Sequence, residues 1–287
     1  MIQLEAPAKL NLTLEVLGRR GDGYHELRSI LQSISLHDTL TFRPADSLEY
    51  TCDMPGWQAE RSLVSKAARL LAKACGCSRG AAVGMKKNIP LVAGLGGDSS
   101  DAAAVIMGLN KLWELGLDEA RMEEIAARLG SDVPFFIRRG TALAGGIGEV
   151  LTPLPAPKDF YAVIIVPDTL SLTDKTRRLY ESLKPDFYTL GKATKKLEQS
   201  LRQGKVIEPS MLFNVFENVA FDTFKGLDDY RKKMLHLGAG SVHLCGSGPS
   251  LYSVVKSEEA AKNLAERFNG SGMKAYTAAV QAAEPRL

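Results

Sequence analysis

Apolar and polar residues alternate first at Leu10, Leu12, Leu14 and Val16, with Asn11, Thr13 and Glu15 between them. That period of two predicts a strand with one buried face. Residues 29–42 alternate similarly through Ile30 and Ile34 and predict two strand segments. The intervening residues 18–27, rich in Gly, Asp and Arg, predict a loop. The pattern then shifts to a helical period over residues 62–75, through Leu63, Ala67, Leu70 and Leu71, with a stop at Gly76. Residues 81–89 predict a strand and residues 90–100 a glycine-rich loop. A helix over 101–115 follows, with Val105, Ile106, Leu109 and Leu112 inward and its end at Gly116. Asp118 caps a second helix that reaches Leu129 and stops at Gly130.

The second half opens after a strand-like stretch at 141–151. Pro153, Pro155 and Pro157 predict a linker. Residues 160–166 form a continuous apolar run, which predicts a buried strand. Residues 222–237 read as helical, and 242–245 and 251–255 as strands flanking Gly246-Ser-Gly-Pro-Ser250. A capped helix over 257–268 and a strand over 273–280 complete the chain. Strands and helices mix without strict alternation, which predicts two α+β domains, 1–152 and 153–287, rather than one doubly wound sheet.

Composition mainly excludes classes. The chain has 287 residues, 45% apolar and 24% charged, which excludes disorder and collagen-like repeats. A net charge of +3 from scattered residues gives no reason to expect a nucleic-acid partner. No apolar run approaches the ~18 residues that span a bilayer, and the N-terminus lacks the pattern of a secretory signal, so neither membrane nor export is expected. Cys52, Cys75, Cys77 and Cys245 match no zinc spacing and suit a reducing cytoplasm. The 26 glycines are only a small surplus, but Gly94, Gly96 and Gly97 cluster, as do Gly238, Gly240, Gly246 and Gly248.

Four segments are candidates for chemistry. The first is Pro90, Leu91, Val92, Ala93, Gly94, Leu95, Gly96, Gly97, Asp98, Ser99 and Ser100, directly before a helix. Glycines let backbone N–H groups approach a ligand, and a helix start carries free N–H groups and a positive dipole end. The segment therefore suits a phosphate, or is a glycine-rich turn with serine caps. It is neither a Walker A loop nor G-x-G-x-x-G. The second is Lys9 on a strand of apolar pattern, which either snorkels to solvent or carries a charge for chemistry. The third is Asp132, either a helix cap or a partly buried base. The fourth, Gly246-Ser-Gly-Pro-Ser250, is a hairpin turn or a second phosphate-facing nest.

Together, Pro7-Ala-Lys9-Leu-Asn11-Leu, the loop over 90–101 and Gly246-Ser-Gly-Pro-Ser250 resemble the three motifs of the galactokinase, homoserine kinase, mevalonate kinase and phosphomevalonate kinase (GHMP) superfamily. Gly21-Asp-Gly-Tyr24-His25-Glu-Leu27, Gly130-Ser-Asp132-Val-Pro134 and Phe213-Asn214-Val-Phe-Glu217 are similar to the branch acting on 4-diphosphocytidyl-2-C-methyl-D-erythritol. The likeness runs over most of the chain, in the family's order.

This resemblance implies a two-domain α+β fold. Its N-terminal domain would be like the second domain of ribosomal protein S5, and its C-terminal domain ferredoxin-like, with ATP and substrate meeting in the cleft between them. It implies a cytoplasmic kinase, monomeric or weakly dimeric, that uses ATP and Mg²⁺. The reaction would phosphorylate the 2-hydroxyl of that cytidyl substrate, in the non-mevalonate route to isoprenoid precursors. The alternative is a superfamily kinase for a mevalonate-like or homoserine-like alcohol. Residues 90–100 would wrap the triphosphate, with Ser99 or Ser100 near the metal. Asp132 would accept the hydroxyl proton, with Lys9 in reach to keep it ionised. Tyr24 and His25 would hold the cytosine, and Asn11 would orient the erythritol or the catalytic pair.

Two positions depart from the family. Asp98 replaces a common glycine and is expected to turn outward or meet the metal shell. Residues 168–177 lack the aromatic that often closes the cytosine pocket, and Tyr180 is out of register. His37, His236 and His243 are expected to be structural.

Overall fold

The computed structural model describes residues 1–168 and 174–283. Of the stretch 168–177 that lacks the aromatic, residues 169–173 lie outside the described residues. The elements run β1 (Ile2–Arg19), β2 (His25–Arg43), β3 (Leu48–Cys52), α1 (Leu63–Cys75), β4 (Ala81–Lys86), α2 (Gly97–Leu112), α3 (Glu119–Ala127) and α4 (Val133–Arg138). They continue with β5 (Thr141–Gly145), β6 (Val150–Leu154), β7 (Tyr161–Ile165), α5 (Lys175–Ser182), α6 (Lys192–Arg202), β8 (Phe213–Asn214) and α7 (Glu217–Thr223). Last come α8 (Leu227–His236), β9 (His243–Leu244), β10 (Leu251–Val255), α9 (Glu258–Gly270) and β11 (Ala275–Ala279).

Two compact units result, and they are not successive halves. One comprises Met1–Ala8, Leu36–Leu91 and Gly96–Arg139; the other comprises Lys9–Ser35, Val92–Leu95 and the chain from Gly140 onward. The division differs from a cut at residue 152 because β1 and β2, 18 and 19 residues long, each contribute to both units.

In the first unit, the far half of β2 pairs antiparallel with β4, and β4 pairs parallel with β3. Helix α2 packs on α1 and α4. Its fully buried Ala102, Ala103 and Ala104 permit that close approach. Gly108 makes room for β2 instead, since a Cβ there would run into the Phe42 ring. Helix α1 ends at Gly76 in the left-handed region (φ 61°), and Asp118 caps α3 by accepting from Arg121 N, both as the sequence predicts.

In the second unit, β5 pairs antiparallel with the near half of β2, β6 with β5, and β8 runs parallel to β1 at Thr13 and Leu14. A separate antiparallel sheet has the order β11-β7-β10-β9. Its core includes Val163, Ile165, Phe216, Phe224, Leu251, Leu264 and Phe268.

Several expectations are corrected. Residues 29–42 form one strand, not two, and the loop at 18–27 shrinks to a turn in which Arg20 N donates to Tyr24 O. The stretch at 141–151 is a hairpin of two strands. Pro153 lies inside β6, opposite Ala142, not in a linker. Among the described residues strand β6 pairs only with β5, and an edge strand tolerates the missing N–H. The helical stretch at 222–237 is two helices, separated before Gly226 (φ 87°). Helix α2 begins at Gly97, so Asp98, Ser99 and Ser100 form its first turn rather than part of a loop.

Candidate active site

Strand β1 is buried at every position from Ala6 to Val16, on both faces. The polar residues predicted for a solvent face are therefore interior and must find partners. Lys9, 5% exposed, does not snorkel; its Nζ donates to Asn11 Oδ1 at 2.7 Å. Asn11 Nδ2 donates to Ser29 Oγ at 2.8 Å, and Ser29 Oγ donates to Thr13 O at 2.5 Å. Thr194 Oγ1 bonds Thr13 Oγ1, and Thr194 N donates to Glu15 Oε2 at 2.7 Å. Every polar side chain of this strand interior is thus fixed.

Gly94 and Gly246, one from each glycine clump, meet beside Lys9. Lys9 N donates to Leu95 O at 2.9 Å, which ties the strand to the glycine-rich loop. Gly94 (φ 83°) lies so close to Cys245 O that any side chain would collide with it. A Cβ on Gly246 (φ 55°) would lie 3.2 Å from Lys9 Nζ and 3.0 Å from Gly94 O. These glycines are required by close backbone approach as well as by turn geometry. Asn214 holds the second loop: its Nδ2 donates to Leu244 O at 3.0 Å and Gly246 O at 2.8 Å. Burial pushes the Cys245 thiol far above the ordinary range, so it is an inert wall rather than a nucleophile.

Gly96 (φ 75°) is the N-cap of α2 and brings no side-chain cap to it. The helix's first N–H groups and dipole end remain available to an anion. Asp98 is exposed, in line with an outward side chain. Ser100 is 1% exposed, and its buried Oγ has no hydrogen-bond partner among the described residues. Asp132 occupies the N-cap position of α4, half-buried, yet its carboxylate makes no capping bond to that helix. The structural reading of this aspartate as a cap therefore fails.

Tyr24 is 60% exposed at the β1–β2 turn. Its neighbour His25 turns inward. Tyr180 stacks on the imidazole with ring centroids 4.7 Å apart and planes at 21°. Tyr188 meets it edge-on, with its hydroxyl 3.3 Å from Nε2. Burial, then the nearby Arg19, lowers the His25 pKa below the ordinary histidine value and favours the neutral ring.

The sequence models of the GHMP kinases N terminal domain and the GHMP kinases C terminal domain match residues 62–140 and 180–274. The 4-diphosphocytidyl-2-C-methyl-D-erythritol kinase of Dehalococcoides mccartyi is 49% identical over 96% of this chain and 97% of its own. The enzyme of that name from Symbiobacterium thermophilum is 40% identical over 93% and 95%. The chain belongs to the 4-diphosphocytidyl-2-C-methyl-D-erythritol kinase family. A crystal structure of 4-(cytidine 5'-diphospho)-2C-methyl-D-erythritol kinase has a TM-score of 0.83 at 33% identity, covering 98% of this chain and 100% of that one. Homoserine kinase from Cytophaga hutchinsonii, at 21% identity and a TM-score of 0.76, shares the two-domain GHMP kinase fold.

Within this kinase, sequence reasoning missed Lys175, whose Nζ donates to Val92 O and Gly248 O. It also missed Tyr188 as a partner of His25, and a buried group in which Lys87 bridges Asp38 and Asp101. A lysine in a polar helical stretch gives no sign of such contacts. Tyr180, set aside for its register, is the aromatic that faces His25.

His243 is half-buried against Tyr252, with its Nδ1 3.4 Å from a Glu217 oxygen, in keeping with a structural role. No helix among the described residues is long and apolar enough to cross a membrane.

Proposed function

We propose that this kinase transfers the γ-phosphoryl group of ATP to the 2-hydroxyl of 4-diphosphocytidyl-2-C-methyl-D-erythritol, with the residues of β1, the two glycine loops and α4 carrying the chemistry. The observation that carries this substrate is the His25–Tyr180–Tyr188 cluster beside exposed Tyr24. An open aromatic face and a neutral imidazole suit a pyrimidine, through stacking and an edge hydrogen bond. A mevalonate-like or homoserine-like alcohol offers nothing for such a cluster to bind.

The residues at the start of α2 fit a triphosphate. The N-cap Gly96 brings no side-chain cap, glycines leave the backbone accessible, and Ser100 Oγ is, among the described residues, an orphaned buried hydroxyl. Among the described residues no group of three or more His, Cys, Asp or Glu could hold a metal. Mg²⁺ keeps waters and binds mainly through substrate phosphates, and Ser99 or Ser100 would supply a protein oxygen. When bound, Mg²⁺ offsets phosphate charge.

The protein's part is to position and to neutralise. Tyr24, His25, Tyr180 and Tyr188 hold the cytosine. Asp132 accepts the proton of the 2-hydroxyl as that oxygen bonds to phosphorus and ADP departs. Lys9, held by Asn11, supplies positive charge to the developing alkoxide. An ADP-release assay with the cytidyl substrate tests these roles. Asp132→Ala and Lys9→Ala are each expected to lose about 10²-fold or more in kcat with folding intact. Near-normal turnover by Asp132→Ala would overturn its assignment as base.

A further inference from the structure

Lys175 lies at the start of α5, outside every motif identified in the sequence. Its half-buried side chain nevertheless carries the ammonium between the two glycine loops. Nζ donates to Val92 O at 2.6 Å and also to Gly248 O. The neighbouring Thr176 adds a hydroxyl bond of 2.8 Å to Ser247 Oγ. The first turn of α5 therefore grips the glycine-rich loop and the Gly246–Ser250 turn at once.

Both gripped carbonyls belong to residues in the left-handed region, Val92 at φ 53° and Gly248 at φ 67°. A glycine adopts that conformation freely, but a β-branched valine does so only when its surroundings impose it. Val92 is 59% exposed, so side-chain packing does not impose it. The hydrogen bond from Lys175 is the fixed contact at its carbonyl. Two residues later Gly94 abuts Cys245 O, and the chain then enters α2. The orientation of Val92 thus sets the path by which the loop delivers its backbone N–H groups.

Resting on the kinase reading above, we propose that Lys175 is a positioning residue: its ammonium clamps Val92 O to Gly248 O and so preorganises the phosphate loop for ATP. A charged donor bonds a carbonyl more strongly than a neutral amine, so the clamp is tightest while Lys175 is protonated. Burial, and then the charge of Lys9, lowers the Lys175 pKa to about 8. The titratable groups facing it are Lys9 and the Cys245 thiol. The thiol stays neutral far above that range, and Lys9 remains tied to Asn11. The lowered pKa makes the clamp weaken as pH rises through about 8.

The test is calorimetric binding of a non-hydrolysable ATP analogue with Mg²⁺, at about pH 7.5 and about pH 9, where the analogue's own charge is constant. Wild type should bind severalfold more weakly at the higher pH. Lys175→Met should bind about tenfold more weakly than wild type at the lower pH, and its affinity should no longer depend on pH. Lys175→Arg keeps its charge at both pH values and should also lose the pH dependence, while recovering part of the affinity. Thermal unfolding checks that each variant is folded. If Lys175→Met does not fold, the wild-type profile and Lys175→Arg decide. Wild-type affinity that is flat across this range would overturn the proposal, as would a folded Lys175→Met within about twofold of wild type. Turnover is measured separately: a protein that binds the analogue as predicted but ignores the cytidyl substrate contradicts the substrate assignment, not the clamp.

Discussion

The ammonium of Lys9 lies 2.7 Å from Oδ1 of Asn11, its neighbour on one face of β1. Asn11 is held in turn through Nδ2 by Ser29 Oγ, and its carbonyl accepts from Tyr252 OH at 2.9 Å. On the mechanism proposed above, Asn11 aims Lys9. Asn11→Ala should lower kcat by about 10²-fold, since a displacement near 1 Å is enough to cost that much. Because the two residues act as a unit, Lys9→Ala plus Asn11→Ala should be no worse than Lys9→Ala alone by more than a few-fold. Steady-state kinetics on the two single variants and the double variant measure this directly.

The candidate site is far more legible in the sequence than its supports. The glycine loops, Lys9 and the Tyr24-His25 pair stand out because each breaks a local pattern and all match one family. The strand alternation at 10–16 misled for a physical reason. Asn11, Thr13 and Glu15 look like a solvent face, but Ser29 and Thr194 come from distant positions to bond them. Partners 18 to 181 residues away leave no local trace. Lys175 was invisible for the same reason: its partners are carbonyls, which no side-chain pattern advertises.

Lys87 sits with both Asp38 and Asp101 at 2.5 Å, all three nearly fully buried. One ammonium is shared by two carboxylates. Burial, reinforced by Asp38 and opposed by Lys87, raises the Asp101 pKa to about 7. Lys87→Met would strand two buried carboxylates and should cost about 3–5 kcal/mol of stability in denaturant unfolding.

The same group predicts a pH dependence. Asp101 titrates near 3.9 when unfolded and at about 7 when folded, so the folded state binds the extra proton between those values. This contribution to stability is fully present below about pH 4 and is lost as pH rises through about 7. Asp101→Asn should remove that slope, which is at most about 1.4 kcal/mol per pH unit. Urea midpoints of both proteins across this range measure it.

Tyr180 supports His25 by stacking and packs edge-on against Phe216 at 4.9 Å. Tyr180→Ala and Tyr24→Ala should mainly raise KM for the cytidyl substrate, leaving kcat and KM for ATP within a few-fold, because they remove binding common to ground and transition states. The lowered His25 pKa predicts that substrate binding persists to lower pH than an ordinary histidine would allow.

Gly94→Ala should abolish activity while leaving secondary structure intact. The new methyl would meet Cys245 O, at a backbone angle (φ 83°) that alanine disfavours. Gly97→Ala is the milder control, since its Cβ would meet the Ile89 side chain at 3.1 Å. Circular dichroism and ADP release on the pair distinguish a blocked loop from a lost fold.

The most direct measurement is product identity. The protein is incubated with ATP, Mg²⁺ and, separately, the cytidyl substrate, mevalonate and homoserine, with ADP followed and the product analysed by phosphorus NMR. ADP should form only with 4-diphosphocytidyl-2-C-methyl-D-erythritol, alongside one new phosphomonoester at its 2-position. Phosphorylation of mevalonate or homoserine instead, or of a different hydroxyl, would contradict the substrate and the geometry assigned to it.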